Sequence, residues 1–245
     1  SMEIPFTGKF SGSSEKYALK NLLIDKSQDS TREVGLFGTI GGKGQVENLK
    51  ISNAAVISRS KFTGIIAGRN YGLIGKCIIE DSSINTVGTG NVYSGLVCGL
   101  NESKATEARV SLCTIKGATY SSYTAGGVVG YNKAGVIDNN MITISQAESK
   151  GIDSEAAFGG VAGYSRDGSN EVKYSRVVNN LVSIESLIKD KSVVGGIFGI
   201  TSSTKETRGM YSMLVYSSPV LLTPVGKNNG DATLSSLSEN AVYDE

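Results

Sequence analysis

The sequence of 245 residues contains no histidine and no tryptophan, and only three prolines and three cysteines. Without histidine there is no Ser-His-Asp triad, no Cys-His dyad, no HExxH zinc motif and no His-ligated metal site. Without tryptophan the strongest aromatic platform for cations or sugars is missing. Neither sign of charge dominates: 24 basic residues face 23 acidic ones, for a net charge of +1. That balance gives no overall electrostatic footprint for nucleic acid or an anionic membrane. No apolar run approaches the roughly 18 residues of a membrane-spanning helix. Cys77, Cys98 and Cys113 form no CxxC pair and, being odd in number, no disulfide framework. They read as buried thiols that behave as small hydrophobes. The opening Ser1-Met2-Glu3-Ile4-Pro5 lacks the basic and apolar regions of a signal peptide. Ser1-Met2 reads as a cloning remnant, and the chain is expected to be a piece of a longer protein.

Glycine is what the sequence has in excess: 31 residues, about 13% of the chain against an average near 7%. Many of them sit in one apolar-glycine box. It reads Val34-Gly35-Leu36-Phe37-Gly38, Gly64-Ile65-Ile66-Ala67-Gly68 and Gly95-Leu96-Val97-Cys98-Gly99, then Gly126-Gly127-Val128-Val129-Gly130, Gly159-Gly160-Val161-Ala162-Gly163 and Gly195-Gly196-Ile197-Phe198-Gly199. The closing glycines are spaced by 30, 31, 31, 33 and 36 residues. A second motif follows each box, as in Asn48-Leu49-Lys50-Ile51, Lys76-Cys77-Ile78-Ile79, Leu112-Cys113-Thr114-Ile115, Asn139-Asn140-Met141-Ile142 and Asn179-Asn180-Leu181-Val182. The sixth unit keeps a degenerate version around Ser212-Met213-Leu214-Val215, and Asn21-Leu22-Leu23-Ile24 precedes the first box.

Short, Val- and Ile-rich segments such as Met141-Ile142-Thr143-Ile144 read as strands, two or three per unit, separated by polar stretches. A unit near 31 residues is too short for a propeller blade of about 40–50. The expectation is an all-β chain: a right-handed parallel β-helix, or solenoid, of about seven coils whose equivalent residues stack in ladders. Residues 1–30 would form an N-terminal cap and first coil, 31–216 the repeats, and 217–245 a C-terminal cap or linker tail. The box glycines would serve positive φ or close backbone approach. One box position reads Phe37, Ala67, Cys98, Val129, Ala162 and Phe198, bulky in the outer units and small between them.

On these residues the repeat resembles the GLUG repeat family. The boxes ending at Gly130 and Gly163 match best, since they run into Tyr131-Asn132 and Tyr164-Ser165. Phe6-Thr7-Gly8-Lys9-Phe10-Ser11-Gly12 is similar to the segment that often precedes such repeats. The resemblance implies a scaffold: a module of a bacterial secreted or surface protein, adhesin-like or a non-catalytic region of an IgA-specific metallopeptidase. With no histidine, the zinc motif of such a peptidase is not in this chain, and the family supplies no catalytic residues.

Candidate chemistry is sparse. Cys77 and Cys113 take one ladder position in adjacent coils, within disulfide range, but in-register side chains point in parallel and favour a stack of reduced thiols. Asn140 and Asn180 continue that position, where amides would hydrogen-bond along the stack. The clearest candidate is the stretch between each closing glycine and this ladder. It is lengthened after Gly99, Gly163 and Gly199, and insertions at one point of a solenoid project from one edge, often the binding side. Glu102, Lys104, Tyr164, Arg166, Asp167, Glu171, Lys173, Tyr174, Lys205 and Arg208 are the expected binding residues. A host glycoprotein or polysaccharide would be the partner, with no cofactor, no metal, no nucleic acid and no membrane insertion. Two alternatives stay open. A polysaccharide lyase or hydrolase would use Asp167 and Glu171 with Arg166 or Arg208, and a pure recognition module would bind through the charged edge.

Overall fold

The structure is a computed structural model that describes residues 4–13, 16–29, 32–87, 90–150, 156–167, 175–189, 193–202, 208–210, 212–216 and 225–228. It is a parallel β-helix. Four sheets of seven, eleven, six and seven strands run along the stack, and each strand pairs in parallel with its counterpart one coil away. One full coil passes through Gln45–Glu47 in the first sheet, then Lys50–Ser52 and Ala55–Ser58 in the second. It continues through Phe62–Gly64 in the third and Ala67–Asn70 in the fourth, and Leu73–Gly75 then begins the next coil.

This coil thus carries five strands, not the two or three expected. The extra ones are only three or four residues long, too short for period-two alternation to show against the background. In two coils the second-sheet strands merge into the nine-residue Thr114–Ser122 and Met141–Ser149.

The core is a set of continuous columns, because exact parallel register places equivalent side chains one above another. Val46, Ile74, Val110, Ile137 and Val177 form one column, and Ile51, Ile79, Ile115, Ile142 and Val182 a second. All ten are buried. The variable box position is also one column in register, from Phe37 to Phe198 and on to Val225. At its start Phe37 packs on Phe6 at 5.0 Å and on Phe10 at 5.7 Å between ring centroids. At its far end Phe198 is fully buried. The bulky residues therefore stand towards the ends of the rod. Val225–Asn228 adds the last strand of the fourth sheet by pairing with Phe198–Thr201.

Two kinds of corner turn the chain. Between the first and second sheets, Asn48, Lys76, Leu112, Asn139 and Asn179 all adopt positive φ, between 53° and 56°. Between the third and fourth sheets lies the glycine box. Among the described residues only Gly90 and Gly117 are glycines with positive φ, so the box glycines serve close approach alone. A Cβ at Gly68 would lie 2.5 Å from Val34 N, and one at Gly99 would lie 2.7 Å from the Phe62 carbonyl carbon. The third and fourth sheets close against each other backbone to backbone, and only glycine leaves room.

Candidate functional site

The lengthened stretches all leave the fourth sheet and enter the first. The shortest links at this corner, such as Asn70 to Leu73, are closed by Asn70 Oδ1 accepting from Gly72 N at 3.0 Å. Where the chain is longer, the same closure is made at the base of the insertion. Ser103 Oγ accepts from Ala108 N at 2.9 Å, and Asp167 Oδ1 accepts from Ser175 N at 2.8 Å. A side-chain acceptor at each base satisfies a backbone donor that no strand partner reaches. The points at which the chain is lengthened therefore all lie at one corner.

The expected binding residues divide on this corner. Asp167 is 6% exposed and serves the loop base, not the surface. Glu102 is 9% exposed and takes the Lys133 ammonium at 2.7 Å, one coil away. Lys104 is exposed, with its ammonium 4.5 Å from the centre of the Tyr71 ring. Tyr164 is half-buried and Arg166 exposed, on the outer face of the fourth sheet. Arg208 lies in a strand that pairs with Arg176–Val178, and its side chain is outside the described residues. Glu171, Lys173, Tyr174 and Lys205 lie outside the described residues as well. Of the catalytic group proposed from the sequence, Asp167 is thus the one carboxylate described, and it is committed to Ser175.

Much of the charge at this corner is spent internally. Glu107 accepts from Arg109 at 2.9 Å and from Arg176, and Arg109 also reaches Asp138 at 2.9 Å. This network ties strands of the first sheet together across coils.

Two features of the fourth sheet escape the sequence reading. The first is a buried amide ladder two residues past three successive closing glycines, Gly68, Gly99 and Gly130. Asn70 Nδ2 donates to Asn101 Oδ1 at 2.9 Å, and Asn101 Nδ2 donates to Asn132 Oδ1 at 3.0 Å. Asn132 Nδ2 passes to Gly135 O at 3.0 Å. The constant offset from Gly68, Gly99 and Gly130 is the signal that could have found it. The second is a cluster of rings where the third and fourth sheets meet. Tyr93 stacks on Phe62 at 5.9 Å and lies 5.1 Å from Tyr131, and Tyr164 meets Tyr131 edge-on at 5.0 Å. Tyr131 and Tyr164 both follow a closing glycine directly. Burial, reinforced by the neighbouring Tyr164, pushes the Tyr131 hydroxyl pKa up.

The ladder between the first and second sheets is in the register expected. Cys113 N donates to Asn140 Oδ1 at 2.9 Å, Asn140 Nδ2 to Asn180 Oδ1 at 2.9 Å, and Asn180 N to Ser212 Oγ at 3.3 Å. Cys77, Cys98 and Cys113 are buried free thiols. A hydrogen bond with Cys77, together with burial, pushes the Cys113 thiol well up, and burial does the same for Cys98. Cys98 and Cys113 are thus inert core groups, whereas the hydrogen bond with Cys113 draws the Cys77 thiol down. Among the described residues no group of three or more Cys, Asp or Glu could hold a metal, and no helix is long and apolar enough to cross a membrane.

Comparison with known proteins adds one likeness. No family model matches the chain, and no solved structure matches it. Over 98 residues the chain is 36% identical to part of Halomucin from Haloquadratum walsbyi. That stretch is 40% of this chain and 1% of Halomucin, so the chain spans a small fraction of the protein it matches. The likeness assigns no activity.

Proposed function

We propose that this chain is a non-enzymatic extracellular module, a rigid spacer or adhesin segment within a larger secreted or surface protein of the GLUG-repeat kind. The observation that carries the reading is the parallel register of the ladders, which holds from coil to coil apart from a bulge between Thr114–Ser122 and Met141–Ser149. Core columns, amide ladders and both kinds of corner repeat from coil to coil, so neighbouring coils are locked along the whole described stack. Such a rod holds its ends apart without a hinge, which is what a spacer must do. The short match inside a far longer protein supports a module carried in a large polypeptide.

Antibody labelling of cells that express the full-length protein tests the location, and incubation of the purified chain with a polysaccharide panel tests the absence of catalysis. The reading expects labelling of intact cells and no loss of polymer length. Labelling only after permeabilisation, or depolymerisation by the purified chain, would overturn it.

A further inference from the structure

We propose that the outer seam between the third and fourth sheets binds an acidic polysaccharide, with its sugar rings on the tyrosine cluster and its acidic groups on the cations alongside. The inference deepens the surface-module reading by naming the ligand class, and rests on it only for where such a polymer would be met.

Three observations carry it. First, Tyr93, Tyr131 and Tyr164 form one half-buried cluster that crosses coils, all three ring centroids lying 5.0 to 6.3 Å from one another. Tyr131 and Tyr164 are in direct register, so their spacing follows the strand spacing of about 4.8 Å. Set at angles to one another, the rings offer apolar edges and faces, not one flat platform, to a chain molecule. Amphipathic rings that lose little entropy on contact suit such recognition.

Second, charge is segregated here although the whole chain is balanced. Arg32, Lys61, Arg69, Lys133 and Arg166 border the cluster or continue it through Phe62. The carboxylates that meet them are Glu33, 2.7 Å from Arg69, and Glu102, 2.7 Å from Lys133. Among the described residues cations therefore outnumber carboxylates along the seam, and the excess complements a polyanion.

Third, the seam cannot yield. The glycine box presses the two sheets together beneath it, so the rings are held in place before any ligand arrives. Preorganisation of this kind lowers the entropic cost of binding.

Calorimetric titration of the purified chain with an oligogalacturonate, its methyl ester, a chondroitin sulfate fragment and a DNA duplex tests the proposal. The expected result is binding of the acidic glycans, with the neutral methyl ester at least about tenfold weaker. Tighter binding of the chondroitin sulfate fragment, which carries both carboxylate and sulfate, than of the oligogalacturonate shows that sulfate adds to recognition. Tyr164→Ala should weaken binding about fivefold while Tyr164→Phe preserves it. Arg166→Ser, at an exposed position that does not threaten folding, should weaken binding and flatten its salt dependence. Absence of binding to both acidic glycans would overturn the proposal and leave the spacer reading standing. So would equal affinity for the methyl ester, or DNA binding as tight as glycan binding and indifferent to Tyr164→Ala.

Discussion

Two corners of the same coil solve the same problem with opposite chemistry. At the box the chain reverses between the third and fourth sheets and uses glycine at ordinary negative φ, because neighbouring backbones leave no space for a Cβ. At the corner between the first and second sheets the backbone enters the left-handed region in five successive coils, yet no glycine stands there. Asparagine does so three times, as its short amide tolerates that conformation best after glycine. Lys76 and Leu112 take it at a cost, and the stack tolerates it because their N–H groups still donate to the next coil, at 3.0 and 3.1 Å. Glycine content thus marks crowding in this fold, and left-handed backbone is marked by asparagine.

The sharpest break of that contrast is a methyl group in the box. A Cβ at Gly159 would overlap Ala162 O and lie 2.6 Å from Gly199 N, all backbone that cannot step aside. Gly159→Ala should cost about 3 kcal/mol, read as a lowered urea midpoint. Gly75→Ala is the matched comparison, since its Cβ would meet nothing closer than 3.7 Å and should leave the midpoint nearly unchanged. Equal effects would mean that crowding is not what selects glycine at the box.

The next prediction concerns the ladder beside the asparagine corner. Asn140 satisfies Cys113 N and donates to both Asn180 Oδ1 and Val110 O, the last at 3.3 Å. Asn140→Ala strands those groups in the core and should cost about 2–3 kcal/mol in the same measurement. A loss no larger than that of an exposed asparagine would show that the amide stack is not cooperative.

Much of this was legible in the sequence because a repeat reports its own geometry. The spacing of the boxes counted the coils, and the alignment of Leu49, Cys77, Cys113, Asn140 and Asn180 gave a register that the strand pairs reproduce. The functional surface was less legible. Charges such as Glu102 and Asp167 look alike in a loop whether they meet solvent or close a buried bond. Tyr93 comes from the strand before the box, whereas Tyr131 and Tyr164 come from strands after it. Only the folding of one sheet against the other makes them a cluster.

The buried thiols and phenol give a prediction that depends on neither corner. Burial raises the pKa of Cys98 and Tyr120, and the hydrogen bond with Cys77 together with burial raises that of Cys113. Each is held neutral in the folded chain, whereas the unfolded chain ionises near the ordinary values of 9.0 for cysteine and 10.0 for tyrosine. Their contribution is full below about pH 9 and is lost as pH rises above it. The urea midpoint should stay level from neutral pH to about pH 8.5 and then fall, by about 1.4 kcal/mol per pH unit for each group that ionises only on unfolding. Cys98→Ala should blunt the fall. An unchanged alkaline limb in that variant would remove Cys98 from the account.

The smallest effect tests the asparagine corner from the other side. Leu112 holds a φ of 56° with a branched side chain that is 51% exposed, so it carries the conformational cost with little burial to offset it. Leu112→Gly removes the clash between Cβ and the carbonyl, worth about 1–2 kcal/mol, and returns part of that through the greater freedom of glycine when unfolded. The net should be a gain of about 0.5–1 kcal/mol, seen as a raised urea midpoint. Leu112→Asn should gain less, since asparagine still carries a Cβ. Gly159→Ala and Leu112→Gly then shift stability in opposite directions through the same pair of amino acids classes, side chain against none. If Leu112→Gly instead destabilises by more than about 1 kcal/mol, the left-handed corner is held by the leucine's contacts and not merely tolerated in spite of them.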